Sequence, residues 1–518
     1  MNSSSSFPFE LNLGSQPIDV GAVVANNKLA AGTTAAAATA GLLWYLLRSD
    51  NSSVKQIRGW PLIGQWDFFT RRHDFVKEGF SKLPHESAFG FNILQHKVVA
   101  MKGEEARKVF FDRKDLSFTQ GYRLLMGGVP NAKDIVPEET EQNDQEQLAA
   151  FIRRLSPLLR MDRLAQITPT FMSDIERNMH SWGESGQFDP FDMMYSIVFQ
   201  LTIRTTGARE IADSVEKCKE LEKLYWRVEK GSTPTSLLLP WLPSDARKRK
   251  LAATGEIYKM FDDIINERRS QGRREDDALQ VLLDMGETTP SIIEFIMGTL
   301  FAGIVNSGLM SAWIFIFLDQ EPEWRDKVIE EIRTVLEKYA PAEEQGSVAE
   351  RCSKIPPQVW ENEMPVLEVC LRETIRLILS GAALRRVVRG DVKVGEKTVP
   401  NGSFLVYLIG ETHNDPNIYP NPSKFDPGRY DAGQDKSQAH AYLGWGTGRH
   451  PCLGRRFAQF EIKAMTAMFL ASYSYEIIDT HGKKPDPSVT VPDKNNIYQA
   501  RPKDETFYIK YTKRKEQL

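Results

Sequence analysis

Residues 444–458 read GWGTGRHPCLGRRFA, and this stretch decides how the rest of the chain is read. Gly444, Gly446 and Gly448 precede Cys452, and Gly454 follows it. Glycines let a backbone run tightly against another body, and a cysteine at the exit faces whatever lies there. A helix is expected to restart around Leu453, which would set the sulfur near a helix N-terminus, where negative charge is favoured. A thiolate held this way suits a single axial bond to heme iron, where it pushes electron density that favours O–O cleavage. A glycine-rich turn with an incidental buried cysteine would read the same in isolation. The rest of the chain has to decide.

Composition excludes several classes. Apolar residues are 41% and charged residues 26% of 518, a globular balance rather than a disordered or collagen-like one. The net charge of -3 gives no basic excess, so a nucleic-acid partner is not expected. Cys218, Cys352, Cys370 and Cys452 show no CxxC spacing and read as reduced thiols. The eight histidines form no HExxH, which argues against a zinc hydrolase.

Residues 1–28 are rich in Ser, Asn and Gly and read as a disordered N-terminus. Leu29 to Leu47 is uncharged, LAAGTTAAAATAGLLWYLL, and at ~1.5 Å per residue nearly spans a ~30 Å bilayer core. It is expected to be a single transmembrane anchor. Lys55 and Arg58 after it, against Lys28 before it, place the large C-terminal part in the cytosol. A second uncharged run, Phe295 to Leu318, carries Gly298, Gly303, Asn306, Ser307 and Gly308 midway, where lipid gains nothing from them. It reads as the central helix of a large core, with something bulky against its middle.

Residues 48–65 form a hinge around GWPLIG (Gly59–Gly64), and 66–518 read as one mainly helical domain with a small β component. Helical patterns dominate from about 140 to 380. Short β patterns follow over 384–410, and then Asn414–Tyr442 is a long loop dense in Pro, Asp, Asn and Gly. The tail 475–513 reads as strands.

The segment around Cys452 resembles the heme-binding signature of the cytochrome P-450 family. Its aromatic, Gly, Gly, basic, Cys, Gly and Ala positions fall on Trp445, Gly446, Gly448, His450, Cys452, Gly454 and Ala458. Trp445 stands where Phe is usual and His450 where Arg is usual; Gly448-Arg449-His450 is similar to the sterol-demethylase branch, and the overall flavour to fungal members. ExxR alone is weak, since it also occurs at Glu104–Arg107 and Glu330–Arg333, and such a pair can be a surface ion pair worth a few tenths of a kcal/mol. Only LRETIRL (Leu371–Leu377) is followed by β-rich sequence, then KFDPGRY (Lys424–Tyr430), then the cysteine loop. The resemblance covers roughly residues 55–510. It implies the cytochrome P-450 fold, heme b with Cys452 as its axial metal ligand, and a structural triad of Glu373, Arg376 and Arg429. It also implies heme contacts from Trp445 and Gly446, and propionate partners at His450, Arg386 and Arg153 or Arg154.

The central helix departs from the family pattern. Where the family has an acid followed by Thr, this chain has Val305 and Asn306, with Ser307 next. Asn306 donates and accepts hydrogen bonds but does not relay a proton as a hydroxyl does. Asn306 and Ser307 are the candidate catalytic side chains. Substrate contacts are expected from Phe118–Val129, including Tyr122, from Phe301 and Ala302, and from Leu379–Ala383, including Ala382. These positions are apolar or small, which suits a lipophilic ligand such as a terpenoid, a sterol or a related secondary metabolite.

The expectation is therefore a heme-thiolate monooxygenase of the endoplasmic reticulum membrane. Its electrons would come from an NADPH-cytochrome P-450 reductase, with cytochrome b5 as a second donor. Arg449, Arg455 and Arg456 would help that docking. The departure at Asn306 leaves two rivals open: an isomerase or dehydratase of a hydroperoxide or endoperoxide, and a non-catalytic heme- or lipid-binding protein.

Overall fold

The computed structural model describes residues 53–61, 63–125, 144–239, 242–341, 346–496, 500–516 and 518. The expected N-terminus 1–28 and anchor 29–47 lie outside the described residues. So do 126–129 of the expected substrate loop.

Helix Thr289–Gln320 runs through the middle of the molecule. Thr288 caps it by accepting from Ser291 N, and Pro290 sits in its first turn, where a missing N–H costs nothing. It is apolar on nearly every face, so it needs neighbours all round. Those are Pro190–Thr206, packed most extensively, then Pro365–Ile378 and Arg455–Ser472. It is long and apolar enough to cross a membrane, yet most of its length is buried inside the fold. The core reading of this run holds.

Among the described residues, twelve short strands complete the fold: β1 (Ala88–Ile93), β2 (His96–Met101), β3 (Leu116–Ser117), β4 (Ser185–Phe188), β5 (Ala382–Val387), β6 (Val392–Val394), β7 (Lys397–Val399), β8 (Phe404–Leu408), β9 (Gly446–Thr447), β10 (His450–Pro451), β11 (Tyr473–Ile478) and β12 (Tyr508–Lys513). The largest sheet has the order β1-β2-β8-β5-β3, with β2 and β8 parallel and its other pairs antiparallel. Along β5 successive side chains take opposite faces. Ala383 and Val387 join a cluster with Phe110, Phe111 and Leu443, whereas Ala382 and Leu384 join one with Phe68, Leu125 and Phe404. The region 414–442 is irregular apart from two short 3-10 turns, Pro427–Tyr430 and Gln434–Lys436, as its composition predicts.

Candidate functional site

Glu373 and Arg376 lie one turn apart on Pro365–Ile378, and both side chains are fully buried. The Arg376 guanidinium donates to both Glu373 oxygens at 2.8 Å. Arg429, delivered by the irregular region, donates from Nε to the same carboxylate at 2.9 Å. Tyr430 Oη and Asp426 N add donors at 3.1 and 3.0 Å. The remaining guanidinium nitrogens hold backbone carbonyls: Arg376 Nη1 donates to His413 O and Arg429 Nη1 to Pro420 O. Three sequence-distant segments are thus tied to one buried carboxylate. The other two ExxR occurrences differ in kind. Arg333 and Glu330 are an exposed pair, while Arg107 is buried but turns to Gln438 and Tyr407, leaving Glu104 to Lys108.

His413 carries this network on to the cysteine loop. Its ring is fully enclosed, stacks on Tyr442, and accepts from Leu443 N at 3.0 Å through Nε2. Burial, with Arg376 beside it, pushes its pKa down to about 3, so the ring stays neutral and keeps that acceptor. Beyond Leu443 the chain forms the tight β9–β10 hairpin, with Gly446 and Gly448 both at positive φ. At Gly448 a Cβ would lie 2.3 Å from Phe111 O. Cys452 N donates to Trp445 O at 2.7 Å, closing the loop.

Cys452 is the one exposed cysteine of the four; Cys218, Cys352 and Cys370 are buried. The helix after it begins at Arg455 rather than Leu453. Desolvation by the surrounding packing outweighs the Gly454 N–H and Arg455, so the free thiol's pKa is raised rather than lowered. The helix terminus alone therefore does not offset the cost of charging the thiol. A metal bond would.

The cations expected around the loop differ in their placement. Arg386 faces away from it: Nη1 donates to Gln120 Oε1 at 3.0 Å, and its guanidinium lies over Phe404. Arg153 is an exposed surface residue paired with Glu287 at 2.6 Å, and Arg154 holds the other Glu287 oxygen. The buried cation is Arg385, one residue before the expected position. It is 3% exposed, lies 5.0 Å from each of the Phe110 and Phe118 rings, and donates to Leu384 O. No carboxylate pairs with it among the described residues, and burial lowers its pKa. His450 stacks on Phe118 at 5.3 Å, and burial with Arg385 and Arg449 nearby pushes its pKa down to about 4. The His450 ring and the Arg385 guanidinium thus both lie against Phe118. In sequence, neighbouring arginines on one strand look equivalent; only the phase of the β5–β8 pairing separates them.

Trp445 is half-buried, with its indole N–H buried and without a hydrogen-bond partner among the described residues. On the central helix, Ala302 and Asn306 are exposed one turn apart, between the buried stretches that flank them. Asn306 Nδ2 donates back to Ala302 O at 3.1 Å. Tyr195 Oη donates to Val305 O at 3.4 Å, and its ring packs against Gly308, where a Cβ would come within 2.9 Å. Phe301 is partly buried and Ser307 buried. Tyr122 lies tilted against Phe118, ring centroids 4.4 Å apart, and packs with the cluster that holds Ala382. These two substrate candidates share one wall, while Phe301 and Ala302 belong to another element.

An accessible thiol, a buried cation without an acid and an apolar helix with an accessible small-residue face fit a flat apolar group carrying carboxylates and one open axial position. The comparisons agree with that fit. The family model for cytochrome P450 matches residues 55–500, and the chain belongs to the cytochrome P-450 family, whose members are heme-thiolate oxidoreductases. Among its relatives are the cytochrome P-450 monooxygenase AacuE of Aspergillus aculeatus, 28% identical over 88% of this chain and 92% of that protein. The sterol 14-demethylase of Arabidopsis thaliana is 26% identical over 84% of this chain and 89% of its own length. The retinoic acid-bound cyanobacterial CYP120A1 shares the fold with a TM-score of 0.68 at 19% identity, covering 89% of this chain and 99% of that one.

Proposed function

We propose that this chain is a membrane-anchored monooxygenase that oxidises a lipophilic small molecule, a terpenoid, sterol or related secondary metabolite. Its electrons come from an NADPH-dependent reductase at the cytosolic face of the endoplasmic reticulum. The observation that carries the reading is the accessible Cys452 thiol on a loop clamped through the buried Glu373–Arg376–Arg429 network. Cys452 would hold the heme iron, Arg385 and His450 would receive the propionates, and Gly446 and Trp445 would lie against the ring. When bound, the heme supplies dioxygen activation at iron, which the thiolate favours by donating electron density. The chain's own part is placement. The triad fixes the loop, Phe118 and Arg385 would border the cofactor, and the exposed Ala302 would leave room for an apolar ligand.

A second reading has one observation in its favour. The Asn306 amide is committed to Ala302 O and no hydroxyl takes its place, which suits rearrangement of a peroxide without O2 or reductase. Heavy dioxygen separates the two. Label entering product only with NADPH and reductase supports the monooxygenase, and unlabelled product formed without NADPH supports the rearrangement.

A further inference from the structure

Asn306 stands midway along Thr289–Gln320, exposed together with Ala302 one turn before it. An asparagine in a helix interior is less favourable than the apolar residues around it, because its amide competes with the backbone for hydrogen bonds. Here the helix itself orients the amide. Ala302 O is an acceptor, so the atom turned back to it at 3.1 Å is Nδ2, and the amide oxygen is the end left over. None of the described residues donates to that oxygen. Its neighbours Phe301, Ala302 and Val305 are apolar. Nor does the central helix supply a hydroxyl there. Ser307 is buried, and Thr299, about two turns before Asn306, is buried with its hydroxyl donated to Ile296 O at 2.8 Å and 3.0 Å from that of Thr206. One oriented acceptor among apolar walls favours a ligand that brings the matching donor. A ligand without it leaves the oxygen unpaired once water has been displaced.

We propose that Asn306 is a specificity-determining residue whose Oδ1 accepts a hydrogen bond from a hydroxyl of the substrate, so that the lipophiles taken by this enzyme are alcohols or phenols. This deepens the monooxygenase reading and rests on its lipophilic site. The substrate's hydroxyl donates to Asn306 Oδ1 while the amide keeps its own bond to Ala302 O, and the carbon skeleton lies against Ala302 and Phe301. The ligand thus brings an alcohol to a face of the helix where the chain provides none.

The test titrates the heme-loaded full chain, unmodified and as Asn306→Leu, with two matched sets of probes: menthol, p-menthane and menthyl methyl ether, and thymol, p-cymene and thymol methyl ether. Binding is read from the shift of the heme absorption band and by calorimetry. Each ether keeps the skeleton and the oxygen of its parent but cannot donate. In the unmodified protein the hydroxyl probe of at least one set should bind about three- to tenfold tighter than its ether, the range of one hydrogen bond between neutral groups. Asn306→Leu should abolish that preference and leave the affinity for the hydrocarbons and the carbon-monoxide-bound thiolate spectrum unchanged. Hydroxyl-to-ether ratios that are equal in the two proteins for both sets overturn this proposal alone. Should Asn306→Leu fail to retain heme, the unmodified protein decides: ethers that bind as tightly as their hydroxyl parents overturn it. If none of the probes binds while the thiolate spectrum is intact, the lipophilic-substrate reading falls and this proposal with it.

Discussion

In the proposed reading, Cys452, Arg385 and Asn306 each carry a different share of the chemistry. Cys452→Ser should abolish the thiolate-type carbon-monoxide band; its persistence would remove Cys452 as ligand. Arg385→Leu should weaken heme retention roughly tenfold or more, since hydrogen bonds to a charged group are worth ~1.5–3 kcal/mol. Arg386→Leu, which loses Gln120, Gly402 O and the Phe404 ring contact, should leave retention unchanged; heme titration of both variants checks the pair. The reverse order would restore the assignment made from sequence. Asn306→Thr should leave the coupling of NADPH use to product unchanged or improved, whereas a rearranging enzyme would lose most of its activity. Cys452 was legible because its glycines, His450 and the segments before it stand in a fixed order. Arg385 was not, because strand phase is a property of the β5–β8 register and the two arginines are adjacent.

At the scale of elements, the clamp and the hairpin hold the ligand loop. Glu373→Ala leaves Arg376 and Arg429 buried without their acid and should destabilise the fold by about 3–5 kcal/mol, read from denaturant unfolding. Loss of less than about 1 kcal/mol would mean the network is solvated. Gly448→Ala should also loosen the hairpin, because positive φ and the Phe111 carbonyl both oppose a side chain there. The central helix and the β6–β7 and β8 strands could be read from periodicity and punctuation. β4 could not. Its residues SGQF carry no alternation, and it becomes a strand only because β12 offers a free edge. The start of the cysteine helix at Arg455 likewise reflects loop closure onto Trp445 O, a contact no local pattern announces.

For the whole molecule, helix packing creates groups whose behaviour the chain order hides. Glu461 is enclosed only after helices distant in sequence pack together, so its burial is invisible before folding. Because its pKa rises from 4.5 to about 8 on burial, the native state holds a proton that the unfolded chain releases above pH 4.5. That stabilisation is complete below pH 4.5 and is lost as pH climbs toward 8, at up to ~1.4 kcal/mol per pH unit. Glu461→Gln removes this dependence. Its melting temperature relative to the unmodified protein should therefore increase steadily from pH 5 to pH 8, and a difference independent of pH would refute the buried acid.

The most direct test supplies the purified protein with a partner reductase, heavy dioxygen and a lipophilic extract of its host, with products followed by mass spectrometry with and without NADPH. The account predicts one heavy oxygen atom in a product that forms only with NADPH. Products that form without NADPH and carry no label would contradict it and make Asn306 the mark of a rearranging enzyme.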